Sequence, residues 1–176
     1  MKGDRAPVLF VCTGNTCRSP LAAALWTQVA PDWPVLSAGT DAWPGAPAAD
    51  EAQEVAREYG ADLSGHRARR VRDVTEPVGH VFTMTRAQKQ AVLAERPDWA
   101  DRVFVLTEAA GEEGDIPDPF GASVAVYRAL AERLVNLERK VFERLAREAE
   151  GPEASSGEDG APDGAAPPEG GQNEEA

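Results

Sequence analysis

Residues 8–20 read Val8-Leu9-Phe10-Val11-Cys12-Thr13-Gly14-Asn15-Thr16-Cys17-Arg18-Ser19-Pro20. Val8–Cys12 is a short apolar run bounded by Pro7 and Gly14, the pattern of a buried strand. Ser19-Pro20 then opens a helix, serine suiting the N-cap and proline the first turn, with Leu21, Leu25 and Val29 on one face. The pattern repeats outward along the chain. Val35–Ser37 is a second strand, ended by Gly39, and 48–59 is a helix stopped by Gly60. Val81–Met84 is a third strand, 86–95 a helix before Pro97, and 103–106 a fourth strand. In the last helix Tyr127, Leu130, Leu134, Leu137, Val141 and Leu145 recur at three and four residues, with charged residues between them. Strands alternating with helices predict an α/β fold, a mostly parallel sheet with helices on both faces. No internal repeat is visible.

The chain has 176 residues, 42% hydrophobic and 27% charged, enough for one core. Residues 151–176 hold seven acidic residues, six Gly and four Pro, with no Lys, Arg, Val, Ile, Leu, Met or aromatic residue. Such a segment buries too little apolar surface to offset its ordering entropy, so a disordered acidic tail is expected there and a folded domain over 1–150. The net charge of −12 falls to −5 over 1–150. Neither value suits nucleic-acid binding, which needs a basic surface. No apolar run is long enough to span a membrane, and the apolar stretch in MKGDRAPVLFVC is too short for a secretory signal. A cytoplasmic monomer is expected. Two cysteines are too few for a disulfide scaffold, and His66 and His80 fit no zinc-binding spacing, so no metal or cofactor is expected.

In parallel α/β sheets ligands bind beyond the carboxyl ends of strands, where loops enter helices. The loop after the first strand carries Cys12, five residues, Arg18 and Ser19. A short loop ending at a helix N-terminus aims several backbone N–H groups at one spot, a cradle for an oxyanion. Gly14 is the expected source of the unusual backbone geometry. Arg18 offers a planar fork matched to two phosphate oxygens. Cys12 at the base would be favoured as a thiolate by the same groups.

Val11 to Pro20 resembles the phosphate-binding loop of the low-molecular-weight protein tyrosine phosphatases. The likeness extends through Ser37-Ala38-Gly39-Thr40, His66-Arg67 and Asp118-Pro119 to the last helix, about residues 7–148, and leaves out the tail. The resemblance implies a flavodoxin-like fold, a four-stranded parallel sheet, and metal-free phosphoryl transfer through a cysteinyl-phosphate. Within it Cys12 is the nucleophile. Arg18, Thr13, Gly14, Asn15, Thr16 and Cys17 hold the phosphate, Asn15 keeps the loop in shape with His66 behind it, and Ser19 eases departure of the Cys12 sulfur. Asp118, in Ile116-Pro117-Asp118-Pro119-Phe120-Gly121, is the acid for the leaving group and then the base for water. The flanking prolines remove backbone donors that would hold its carboxyl ionised. Trp43 and Phe120 are candidate pocket walls.

The resemblance implies a phosphorylated protein as substrate, and the residue before the second cysteine suggests which kind. Tyrosine-specific members commonly carry Ile or Leu there and continue Asp-Pro with two aromatic residues. This chain has Thr16 and Asp118-Pro119-Phe120-Gly121, and with Phe82-Thr83-Met84-Thr85-Arg86 it resembles the protein-arginine phosphatase branch of Gram-positive bacteria. A hydroxyl rim and a carboxylate suit a guanidinium; an apolar rim suits a phenyl ring. Phosphotyrosine is the alternative substrate. An arsenate reductase needs further cysteines to relay a disulfide, and a phosphoprotein-binding module without activity would have lost Cys12 or Asp118. With a second cysteine at Cys17, the resemblance also implies a reversible disulfide that shields Cys12 from irreversible oxidation. The tail carboxylates are candidates to compete for the cationic pocket around Arg18.

Overall fold

A computed structural model describes residues 5–151. The acidic segment from 152 onward, with the expectations placed on it, lies outside the described residues. Four parallel strands form one sheet in the order β2-β1-β3-β4: β1 (Val8–Cys12), β2 (Val35–Gly39), β3 (His80–Thr83) and β4 (Val103–Val105). The helices are α1 (Arg18–Val29), α2 (Asp50–Glu58), α3 (Arg86–Glu95), the one-turn α4 (Leu106–Ala109) and α5 (Val124–Glu150).

Strand alternation sends successive side chains of β1 to opposite faces, and both faces are covered. Val8, Phe10 and Cys12 pack with α1, α2 and α5, while Leu9 and Val11 pack with Val71, Val81, Val92 and Trp99 on the other side. β1 is buried along its whole length, which its unbroken apolar run requires. Phe10 meets the Trp26 ring edge-on at 5.8 Å between centroids, tying the strand to α1. The chain leaves β1 toward β2 on one side and returns to β3 on the other. The loop after β1 therefore opens at the switch point where such sheets bind ligands.

Several sequence expectations shift. The helix after β1 begins at Arg18 with Cys17 at its N-cap, and the Ser19 side chain turns to Cys12 rather than capping the helix. Leu21 and Leu25 are buried, but so are Pro20, Ala22, Ala24 and Trp26, because α1 is enclosed between the sheet and α5 instead of presenting one stripe. The fourth strand ends at Val105, since Leu106 already starts α4. Glu138 of α5 is the sharpest departure. It is fully buried, neither carboxylate oxygen has a partner among the described residues, and burial pushes its carboxyl well above the usual range. Among the described residues no helix is long and apolar enough to cross a membrane.

Candidate active site

Cys12 ends β1 opposite Gly39 of β2, and its sulfur lies at the floor of the 12–19 loop. The backbone N–H groups of Asn15 and Ser19 donate to Sγ at 3.3 and 3.4 Å, and the Ser19 hydroxyl lies at 3.0 Å. The loop's carbonyls are engaged from outside. Those of Cys12, Thr13 and Thr16 accept from the N–H groups of Thr40, Asp41 and Ala49, and that of Cys17 from Leu21. The Asn15 carbonyl accepts from His66 Nε2 at 2.7 Å. With carbonyls drawn outward, the N–H groups of this tight loop face inward, the arrangement that binds oxyanions.

Asn15 is the conformational key. Its φ is +57°, in the left-handed region that a side chain enters only when its surroundings hold it there. Its amide donates to Ser19 Oγ at 2.8 Å and Ser37 Oγ at 3.0 Å, and its Oδ1 accepts from the Arg69 N–H at 3.0 Å. The expectation that Gly14 supplies the special backbone is corrected: Gly14 has no positive φ, and a Cβ there meets only Thr16 Oγ1 at 3.6 Å. The glycine the loop needs is Gly39. A Cβ at that position would sit 2.4 Å from the Thr13 carbonyl oxygen and 3.0 Å from the Asn15 nitrogen. His66 is half-buried, and burial lowers its pKa, so a neutral ring with hydrogen on Nε2 suits the bond to Asn15.

Arg18, 4% exposed, reaches across the loop. Nη1 donates to the Ile116 carbonyl at 2.8 Å, and Nη2 lies 3.8 Å from Asp118 Oδ2. Arg18 Nε is buried with no partner among the described residues. Arg18 thus joins the loop that carries Cys12 to the Asp118 segment, about a hundred residues further along the chain. The prolines do not clear Asp118 of donors as expected, because the Phe120 N–H donates to its Oδ1 at 3.0 Å. The Asp118 side chain is 55% exposed.

Trp43 and Phe120 are both exposed. Trp43 lies two residues beyond Asp41, which is bonded to the loop, and Phe120 two beyond Asp118, so they stand on segments from the β2 and β3 sides. Thr16 is half-buried with Oγ1 at 3.7 Å from Cys17 Sγ. Cys17 is buried as a free thiol and accepts from the Tyr127 hydroxyl at 3.1 Å. Burial, first, and that sulfur contact push the Tyr127 pKa upward.

Two residues that sequence reading passed over join this network. Arg69 fixes Asn15 and also donates from Nε to the Ser37 carbonyl. Gln88 of α3 donates to Thr13 Oγ1 at 3.1 Å. The spacing Thr85-x-x-Gln88 is a capping-box signature from which a helix-start role could be read, but nothing local announces its reach to the loop. Among the described residues no group of three His, Cys, Asp or Glu side chains is placed to hold a metal ion.

Known proteins are similar in sequence and fold. The low molecular weight phosphotyrosine protein phosphatase family matches residues 7–151. A protein-arginine-phosphatase of Geobacillus stearothermophilus is 38% identical over 143 residues, covering 80% of this chain and 97% of its own. The crystal structure of a low molecular weight protein tyrosine phosphatase from T. tengcongensis superimposes with a TM-score of 0.73 at 40% identity, over 79% of this chain and 99% of that one. A mutant of the YwlE arginine phosphatase with a phosphorylated active-site serine gives a TM-score of 0.75 at 33% identity, over 82% and 98%. The chain belongs to the low molecular weight phosphotyrosine protein phosphatase family.

Proposed function

We propose that this protein is a cysteine-dependent protein phosphatase that hydrolyses phosphoarginine in proteins. The observation that carries the phosphatase chemistry is the convergence on Cys12 Sγ of two backbone N–H groups and the Ser19 hydroxyl, with Arg18 alongside. Cys12 attacks phosphorus in line with the leaving nitrogen. The loop N–H groups and Arg18, whose Nε has no partner among the described residues, hold the equatorial oxygens as charge spreads over them. Asp118 gives its proton to the departing guanidine nitrogen, so arginine leaves as the guanidinium and phosphorus stays on sulfur. Asp118 then takes a proton from water, which attacks the phosphocysteine. Phosphate departs, and the Ser19 hydroxyl bonds to the returning thiolate.

Arginine specificity rests on Thr16, where a hydroxyl stands at the loop rim beside the buried Cys17, and on the likeness to the Geobacillus protein-arginine-phosphatase. The likeness to the T. tengcongensis tyrosine phosphatase favours phosphotyrosine as the second reading. Phosphate release from phosphoarginine and phosphotyrosine at matched concentrations separates the two. Wild type prefers phosphoarginine, and Thr16→Ile moves the preference toward phosphotyrosine. A wild-type preference for phosphotyrosine overturns the arginine assignment and leaves the cysteine chemistry in place.

A further inference from the structure

We infer that Gln88 is a positioning residue for substrate choice, acting through the hydroxyl of Thr13. The inference deepens the phosphoarginine reading and rests on it. Gln88 lies in the first turn of α3 and is 5% exposed. Its Oε1 accepts from the Met84 and Thr85 N–H groups at 2.9 and 3.1 Å, which leaves its amide nitrogen as the end facing the loop. That nitrogen donates to Thr13 Oγ1 at 3.1 Å, joining two elements 75 residues apart.

The cap alone does not call for glutamine. A capping box works equally well with glutamate, because only a side-chain oxygen is used. The amide adds a donor, and that donor is spent on Thr13. Thr13 is exposed at the mouth of the loop, immediately after Cys12. Its carbonyl points toward Gly39 and β2, while its hydroxyl is held from α3 on the β3 side. The Asp118 segment joins that same side through the Ile116 N–H on the Met84 carbonyl at 2.9 Å. A hydroxyl oxygen has two lone pairs and one proton. With one lone pair taken by Gln88, Thr13 keeps the other to accept from a guanidinium N–H and its proton to give to a phosphoryl oxygen. A phenyl ring has no N–H to offer. Thr13 is then a second polar contact beside Thr16 that favours an arginine leaving group, and Gln88 sets which way it faces.

The test is the ratio of kcat/KM for phosphoarginine to that for phosphotyrosine, measured on the full chain. Gln88→Glu keeps the oxygen that caps α3 and turns the donor into an acceptor, so the Thr13 hydroxyl must rotate to donate to it. The ratio falls about tenfold, the worth of one lost hydrogen bond. Thr13→Val lowers it similarly, and the double variant adds nothing further, as two residues acting through one contact require. Thermal unfolding of Thr13→Val stays near wild type, because the cap of α3 is untouched. Equal losses on both substrates, or fully additive effects, overturn the inference and reduce Gln88 to a helix cap. If wild type itself prefers phosphotyrosine, the arginine reading fails. A ratio that still drops non-additively in these variants then upholds the coupling of Gln88 to Thr13 without it.

Discussion

The 12–19 loop and the 115–121 segment meet at Arg18, and they are held by opposite means. In the first, the carbonyls of Cys12, Thr13, Asn15, Thr16 and Cys17 are each bonded, and Asn15 is locked from three directions in a strained conformation. In the second, Ile116 is buried and tied by both its N–H and its carbonyl, Asp115 accepts from the Arg86 N–H, and Asp118 beyond them is exposed. The difference follows the chemistry. Charge develops on phosphoryl oxygens at fixed positions, so their donors must be set beforehand. As the proposed acid, Asp118 has to serve a leaving group in one step and water in the next, which suits an exposed carboxylate held by one backbone N–H and the edge of the Arg18 fork.

Replacing Asp118 by Ala is the largest perturbation of this contrast. kcat falls by about 10² to 10⁴, the range for a lost general acid, while inorganic phosphate still binds as a competitive inhibitor. Turnover that stays unchanged removes Asp118 from the mechanism. On the rigid side, Gly39→Ala places a methyl group within 2.4 Å of the Thr13 oxygen, so strand and loop must separate. Activity drops by about one to two orders of magnitude, since about 1 Å of misplacement costs ~100-fold, and the melting temperature falls with it. An unaltered enzyme there would show that the loop tolerates displacement and that its bonding is not what sets the rate.

Cys17→Ser sharpens the comparison without breaking it. Peroxide oxidises the Cys12 thiolate to a sulfenic acid, which condenses with the Cys17 thiol to a disulfide and releases water. Activity lost to peroxide therefore returns with dithiothreitol in wild type and does not return in Cys17→Ser. Equal recovery in both excludes Cys17 as the partner.

The smallest effect lies far from both loops. Glu138 prefers to be protonated in the fold because burial raises its pKa above the ordinary 4.5. A raised carboxyl contributes stability that is present below about pH 4.5 and is lost as pH rises toward the folded value. Glu138→Gln removes this titration. Its melting temperature matches wild type near pH 4.5 and exceeds it by a few degrees at pH 8. A constant difference at all pH values shows that Glu138 does not titrate within the window.

How much of this was legible depended on whether the cause was local. Val8–Cys12 announced a buried strand through five apolar residues in a row, and 86–95 ran between the turn after β3 and Pro97, so those elements fell where expected. The periodic apolar residues of α5 are all buried, but the same pattern hid Glu138, because periodicity assigns charges to the wet face by default. In the site, the spacing of Cys12, Arg18 and Ser19 was readable because one loop contains it. Gly14 drew attention as the flexible residue of that loop, whereas the strain sits on Asn15, supported by His66 and Arg69 from more than fifty residues away. Gly39 matters for what approaches it and Gln88 for what it reaches, and neither relation is written in its own neighbourhood.

Arg18 Nε, buried and without a partner among the described residues, links the proposed reaction to the durability of the fold. Phosphate, the product of the proposed turnover, is an ion shaped to accept from that donor. Held in the native loop as proposed, inorganic phosphate has no comparable site in the unfolded chain. Each tenfold rise in its concentration above saturation therefore adds about 1.4 kcal/mol to the unfolding free energy. The same ion that slows the enzyme as product also preserves it: in a phosphate-rich medium the molecule is at once less active and harder to melt, and a thermal shift against phosphate concentration becomes a measure of how well the loop is assembled.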